Sequence, residues 1–296
     1  MISCQKDDHP TVPADPVIPA AKLKKVSLWL DGKDTLSTPD EVDTIYYNAK
    51  NLIEKVVSVQ TGTSTKVATY NISYNAAGSI SRIQSSGLTD GEEDDYYKGD
   101  FQFIYNAAAK LDTLRVYWGL FMSNTFLTFK YDTNGDLSDA YLYGHNISNQ
   151  LYVDSHSAYF RNSNGKLDSI NIRTIPAEQL YYRSFKYNNI NIFNTPDKTY
   201  LMISELRENP QFNLAYVNNG MLWLHQFMNP GDNLVTAGTE TLFNFTAYPS
   251  SANFISPFYY FFNLYPDKNM RTIIPYSHNF GTTTTTPQRT MRFEYL

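Results

Sequence analysis

The stretch Phe126-Leu127-Thr128-Phe129-Lys130-Tyr131-Asp132-Thr133-Asn134-Gly135-Asp136-Leu137-Ser138-Asp139-Ala140-Tyr141-Leu142-Tyr143 decides the fold class. Apolar residues alternate with polar ones on both sides of Asp132 to Gly135, which is the period of a half-buried strand. An Asp that opens a four-residue turn closed by Gly marks a type I turn whose last residue takes positive φ and forms a G1 bulge between paired strands. The stretch is therefore a β-hairpin.

The same hairpin recurs along the chain. Tyr, then Asn or Asp, then Gly or Asn four after the Tyr, then an aliphatic residue six after it, is met at Tyr47 to Ile53 and Tyr74 to Ile80. With one change each it is met at Tyr105 to Leu111, where Ala109 stands in the Gly place, and at Arg161 to Leu167, where Arg replaces Tyr. Looser copies begin at Tyr187 and Tyr216. The starting positions 47, 74, 105, 131, 161, 187 and 216 are spaced by 27, 31, 26, 30, 26 and 29, a period that marks a repeat architecture.

A unit of this length holds two strands, one tight turn and one return connection. Seven units predict an all-β, up-and-down antiparallel meander of about 14 strands, too many for an open twisted sheet, and so a closed or nearly closed water-soluble barrel. The alternative is an open curved β-roll. Asn51 can occupy the left-handed region in place of Gly, whereas Ala109 does so at a cost, so the third turn is either strained or of another type. The tight turns lie at one end. The returns at the other end are longer, above all Gln84 to Asp100, Gly144 to Leu151 and Thr174 to Tyr182, and long connections on a rigid scaffold are where binding surfaces are usually carried.

Composition agrees with a folded β domain: 296 residues, 42% hydrophobic, 18% charged and 15% aromatic, with 24 Tyr and 18 Phe. A net charge of -5 gives no electrostatic footprint for nucleic acid. Residues 1–22 form an N-terminal segment in which Pro10, Pro13, Pro16 and Pro19 favour an extended polyproline-like tether. Residues 23–296 form a single β-repeat domain. Near its end, Phe254 to Tyr265 is an aromatic run expected to be covered on both faces or to plug a barrel mouth, and Thr290 to Tyr295 alternates as a closing strand.

Two resemblances bear on location. Ile2-Ser3-Cys4-Gln5-Lys6-Asp7-Asp8 resembles the end of a bacterial lipobox followed by the first residues of a mature lipoprotein. That implies a lipid on the Cys4 thiol, and Cys4 with Lys6-Asp7-Asp8 resembles the signal that sends Bacteroidetes lipoproteins to the outer face of the outer membrane. Phe129 to Leu137 looks like the YD repeat of Rhs-type bacterial surface proteins, although Asp136, Ser79 and Lys166 stand where that repeat has Arg. The layout of lipobox, proline tether and hairpins resembles a family of Bacteroidetes lipoproteins with a porin-like barrel fold and no assigned activity.

Candidate chemistry is sparse. His9, His145, His156, His225 and His278 are scattered, and the single cysteine has no partner for a zinc site. Asp132, Asn134, Asp136 and Asp139 have a calcium-like spacing, but sibling turns form without these carboxylates. The run Asp90, Glu92, Glu93, Asp94, Asp95 reads as a solvated loop. No catalytic, cofactor or metal residue is expected. Asp34-Thr35-Leu36, Asp43-Thr44-Ile45, Asp112-Thr113-Leu114 and Asp168-Ser169-Ile170 resemble the O-glycosylation motif of Bacteroidetes secreted proteins. This resemblance implies acceptors at Thr35, Thr44, Thr113 and Ser169, with Thr113 and Ser169 expected to face water where a strand leaves its turn. The expected function is a lipid-anchored, non-catalytic surface protein that binds glycan, peptide or a partner protein, without nucleic acid or cofactor. The alternatives are an outer-membrane pore or pore-associated barrel, and an enzyme of a type the motifs do not reveal.

Overall fold

The computed structural model describes residues 22–30, 33, 35–118, 125–145, 148–165, 167–174, 180–187, 199–200, 203, 235–243, 254–264, 270–278, 285–287 and 289–296. Cys4, the tether and the Tyr216 copy lie outside them. Thirteen strands follow one another to Tyr187: β1 (Leu23–Leu30), β2 (Glu41–Tyr47), β3 (Ile53–Gln60), β4 (Lys66–Tyr74), β5 (Ile80–Thr89), β6 (Glu92–Glu93), β7 (Gly99–Tyr105), β8 (Leu111–Trp118), β9 (Thr125–Tyr131), β10 (Leu137–His145), β11 (Leu151–Arg161), β12 (Leu167–Thr174) and β13 (Leu180–Tyr187). A 3-10 turn, Asp95–Tyr97, stands between β6 and β7. Later come β14 (Val235–Phe243), β15 (Phe254–Leu264), β16 (Met270–His278), β17 (Thr285–Pro287) and β18 (Arg289–Tyr295).

The alternation read from the sequence sets the two faces. Ala68, Tyr70 and Ile72 of β4 are buried, whereas Asn71 and Ser73 between and beyond them are exposed. Val26, Val56, Ile83, Phe101, Leu114, Leu127, Leu142, Ile170 and Phe293 extend the buried face from strand to strand into one core. Every pairing is antiparallel, and each tight turn carries the register shift of a bulge, as between Tyr46 and Tyr47 or Ile104 and Tyr105.

A closed or nearly closed water-soluble barrel of about 14 meander strands is corrected by this topology. The meander has thirteen strands, and its outer two, β1 and β13, do not pair with each other. The meander by itself is an open roll whose concave face packs into the core, and β14, β15, β16 and β18 carry the pairing on from β13 to β1. The described strands of the repeat run to Tyr187, and the turn of the Tyr187 copy, like the Tyr216 copy, lies outside the described residues. Residues 188–234 intervene before β14, which pairs with β13, and at the other edge β18 pairs with β1 from Leu23↔Tyr295 to Leu30↔Arg289. The alternating segment Thr290 to Tyr295 is thus the strand beside the first, and the aromatic segment is β15, paired with both β14 and β16.

The repeat pattern gave no sign of one feature. Thr199, Tyr200 and Ile203 are helical, and Tyr200 and Ile203 are buried in the core. The Tyr200 hydroxyl donates to Asp43 Oδ2 at 2.6 Å, and its ring meets Phe293 edge-on at 6.4 Å. A polar oxygen inside an apolar core needs a hydrogen-bond partner, so this bond fixes the helical turn against β2 and β18.

Candidate functional site

The two ends of the roll are built differently. At one end, five turns repeat a single geometry. In four of them the Asn or Asp side chain accepts from backbone amides two and four residues on: Asn48 from Lys50 and Leu52, Asn75 from Ala77 and Ser79, Asn106 from Ala108 and Lys110, Asp132 from Asn134 and Asp136. Asn162 accepts from Asn164 in the same way. The fourth turn residue takes positive φ, at 61° for Asn51, 82° for Gly78, 58° for Ala109, 84° for Gly135 and 75° for Gly165. The third turn is therefore of the same type as its siblings, and Ala109 carries the left-handed strain. Asp132 Oδ1 is engaged by two amides, so turn geometry accounts for this residue without calcium.

The Tyr that opens each turn has a second role. Its hydroxyl donates to the carbonyl of the buried aliphatic residue that begins an earlier strand: Tyr47 to Leu23 at 2.8 Å, Tyr74 to Ile53 at 2.7 Å, Tyr105 to Ile80 at 2.8 Å and Tyr131 to Leu111 at 2.7 Å. Leu23, Ile53, Ile80, Leu111, Leu137 and Leu167 all fall within the buried core, and the Tyr rings pack against it as a collar. Burial raises the Tyr105 and Tyr131 hydroxyls to about 12, Tyr131 with help from the Asp112 charge. Arg161, in the Tyr place, instead donates to the Gly165 carbonyl at 2.7 Å and lies 3.6 Å from Asp136.

The other end has, among the described residues, a long connection after β5 and a cleft. Beyond β5 the chain makes a tight turn at Asp90 and Gly91, both at positive φ, pairs two residues of β6 back on β5, and then coils through the 3-10 turn. Asp94 anchors this flap. One of its oxygens accepts from the Tyr96 amide at 2.9 Å and the other from the Thr89 hydroxyl at 2.6 Å, and these bonds, the Thr89 bond foremost, hold its carboxyl below the usual range. Glu93 and Asp95 both pair with Lys98, so the acidic run is partnered by cation and backbone. Tyr97 lies over Gly87, where a Cβ would overlap its own Cβ. Tyr96 meets Tyr97 edge-on at 5.3 Å and remains 52% exposed.

Beneath the flap is a cleft of about 210 Å³ lined by Leu28, Leu30, Glu41, Ser58, Gln60, Lys66, Ala68, Tyr96 and Tyr97. The pairings Leu28↔Glu41, Glu41↔Gln60, Gln60↔Lys66 and Ser58↔Ala68 put these residues on the concave face, at the mouth of the roll. Ser58 Oγ donates to Glu41 Oε1 at 2.8 Å. Reading the sequence missed this site because its polar residues are spread over three strands; only the length of Gln84 to Asp100 pointed to this end.

The remaining candidates are dispersed. His156 Nε2 lies 2.8 Å from Asp139 and its ring stacks on Tyr141 at 4.4 Å on the convex face, while His145 is exposed at the end of β10. Among the described residues no three His, Cys, Asp or Glu side chains gather as a metal site. Thr35, Thr44 and Thr113 are half-buried. Ser169 is only 5% exposed, which corrects the expectation that it faces water as Thr113 does. Its unit differs in having Arg rather than Tyr at its head, and in β12 both Ser169 and Ile170 are buried.

No protein-family model matches the sequence, and no curated protein matches it. The structure is similar to a porin-like protein from Bacteroides uniformis, with TM-score 0.54 and 13% identity over 94% of this chain and 99% of that one. It is also similar to a porin-like protein from Bacteroides vulgatus, with TM-score 0.42 and 14% identity over 93% and 99%. The likeness to the first is one of fold, at the distance of a Bacteroidetes porin-like protein, and is not an identity with the YD repeat.

Proposed function

We propose that this chain is a non-catalytic protein of the outer-membrane cell surface, anchored by a lipid on Cys4, with its long-loop end presented outward for binding. One observation carries the reading. Leu23 opens β1 at the tight-turn end, beside Tyr295, and Leu296 N bonds Lys22 O at 2.8 Å. A tether running from Cys4 to Lys22 would therefore join the domain at the Tyr collar and leave the mouth and its cleft on the far side. The resemblance of the first eight residues to an exported lipoprotein and the porin-like fold support the location. Glycosylation at Thr35 and Thr44, and at Thr113, belongs to the same reading, since these side chains reach solvent in part.

Protease added to intact host cells is expected to cleave the protein, and Cys4→Ala to release it into the soluble fraction. Sparing of the anchored protein on intact cells overturns the reading. An intact mass equal to that of the lipidated polypeptide alone overturns the glycosylation.

A second reading, an outer-membrane pore or pore-associated barrel, is favoured by the porin-like fold. A spanning barrel needs an apolar band outside and a polar lumen. The described strands have the reverse polarity: Arg82 and Asp100 form a bidentate pair on the convex face at 2.7 and 2.8 Å, with Asn71, Gln84 and Arg115 on the same side, while the concave face away from the cleft is mostly apolar. Detergent-free purification and silence in planar-bilayer conductance support the first reading, and channel currents the second.

A further inference from the structure

We infer that the cleft at the mouth of the roll is a saccharide-binding site that takes a single sugar unit of a longer glycan. The inference rests on the outward-facing end proposed above and names the ligand class of that end.

The chemistry of the lining selects the ligand. A sugar ring has an apolar C–H face and a rim of hydroxyls that both donate and accept. Tyr96 offers an exposed aromatic face, held in place because Tyr97 is wedged over Gly87 and Asp94 caps the turn. The same cleft is lined by a carboxylate, an amide, a hydroxyl and an ammonium, from Glu41, Gln60, Ser58 and Lys66. That set supplies donors and acceptors in one small space, as a polyhydroxylated ligand requires. Its volume corresponds to about seven waters. The cleft therefore holds one ring rather than a chain, and its place at the mouth lets the rest of a glycan run outward.

Competing ligands fit less well. An extended peptide is usually captured by adding a strand to a free sheet edge, and β1 to β4 are each paired on both sides. A nucleic acid or other polyanion needs a cationic surface, whereas the cleft holds one ammonium and one carboxylate, and the flap beside it carries Asp90, Glu92, Glu93, Asp94 and Asp95.

The test uses the purified full chain and saturation-transfer NMR with four probes: maltotriose, mannotriose, cellotriose and trigalacturonate. At least one is expected to bind, with its terminal ring receiving the largest transfer. Tyr96→Ala and Glu41→Gln should each weaken that binding by about tenfold, whereas Tyr46→Ala, on an exposed ring at the tight-turn end, should leave it within about twofold. Because Tyr96 is largely exposed, its variant is expected to fold, and Lys66→Met provides a second probe of the same cleft. Absence of binding by all four probes overturns the inference, as does binding that survives both Tyr96→Ala and Glu41→Gln. Surface exposure on cells is measured separately. A protein displayed on the surface that binds none of the probes sinks this inference alone, and one that binds but is not displayed sinks the proposed location alone.

Discussion

The tight-turn end and the long-loop end close off the same strands by opposite means. At the first, four of the five turns make the same three demands: an Asn or Asp side chain aimed at two amides, a residue at positive φ, and a Tyr hydroxyl on a carbonyl of the earlier strand. At the second, the described connections differ: Thr61 to Thr65 is a short return, and Asp90 to Lys98 folds into a flap. The difference teaches where this sequence is constrained. A turn that must set register and seal the core leaves little freedom, so its residues repeat. A connection that must only return the chain leaves its residues free for a surface.

The largest effect expected from this contrast lies in the Tyr collar. Tyr105→Phe with Tyr131→Phe removes two bonds to carbonyls at the edge of the core and should lower unfolding free energy by about 2 kcal/mol in a denaturant titration. The same pair should govern alkaline stability. Their ionisation is raised in the fold to about 12 from an ordinary value near 10. The stability they lend is complete below pH 10 and is lost as pH rises from there through about 12, because the unfolded chain gives up these protons first. The wild-type midpoint should fall across that window, and the double variant should show a shallower slope. Equal slopes would mean that the collar rings are not buried as described.

How much could be read in advance divides along the same line. Turn type, strand alternation and the buried aliphatic residue of each unit were legible because each is a local consequence of a few residues: Asn75 and Gly78 demand the turn, and the turn fixes Ile80 inward. The Tyr hydroxyl bonds were not, because Tyr74 reaches Ile53 across 21 positions and no local rule pairs them. The number of meander strands failed for a related reason. Periodicity counts units, but only the paired edges say where a sheet stops, and the helical turn at Tyr200 answers to Asp43, 157 residues away. The cleft was illegible for want of any motif. Glu41, Ser58 and Lys66 are ordinary strand residues until the register sets them side by side.

A smaller effect of opposite sign sharpens the contrast at a single turn. Ala109 sits at φ 58°, which an L residue with a Cβ adopts at a cost. Ala109→Gly relieves that strain and gives back part of the gain through the freer unfolded chain, so the expected net is a stabilisation of about 0.5 to 1 kcal/mol. The measurement is the shift in urea midpoint at unchanged slope. A loss of stability would show that Ala109 makes a contact worth more than the strain.

The smallest global effect should come from the other end, and its smallness is the point. Asp94→Ala removes the cap on the 3-10 turn and the bond to Thr89, both on a flap whose described side chains are mostly exposed. The global midpoint should move by less than about 0.5 kcal/mol. Locally the change should be plain. The Tyr96 and Tyr97 amides should exchange about tenfold faster with solvent deuterium, because the flap can open without unfolding the strands beneath it. Acid should mimic the substitution. The carboxyl titrates below its ordinary value in the fold, so the stability it lends is present above that value and is lost as pH falls below about 4 and passes through the folded value. Protection at Tyr96 and Tyr97, taken relative to the slower intrinsic exchange in acid, should therefore fall before that of the Tyr74 and Tyr105 amides, and in Asp94→Ala this step should be absent. If instead Asp94→Ala lowers the global midpoint as far as the collar variants do, the flap is part of the core's cooperative unit. The two ends would then differ in geometry but not in energy.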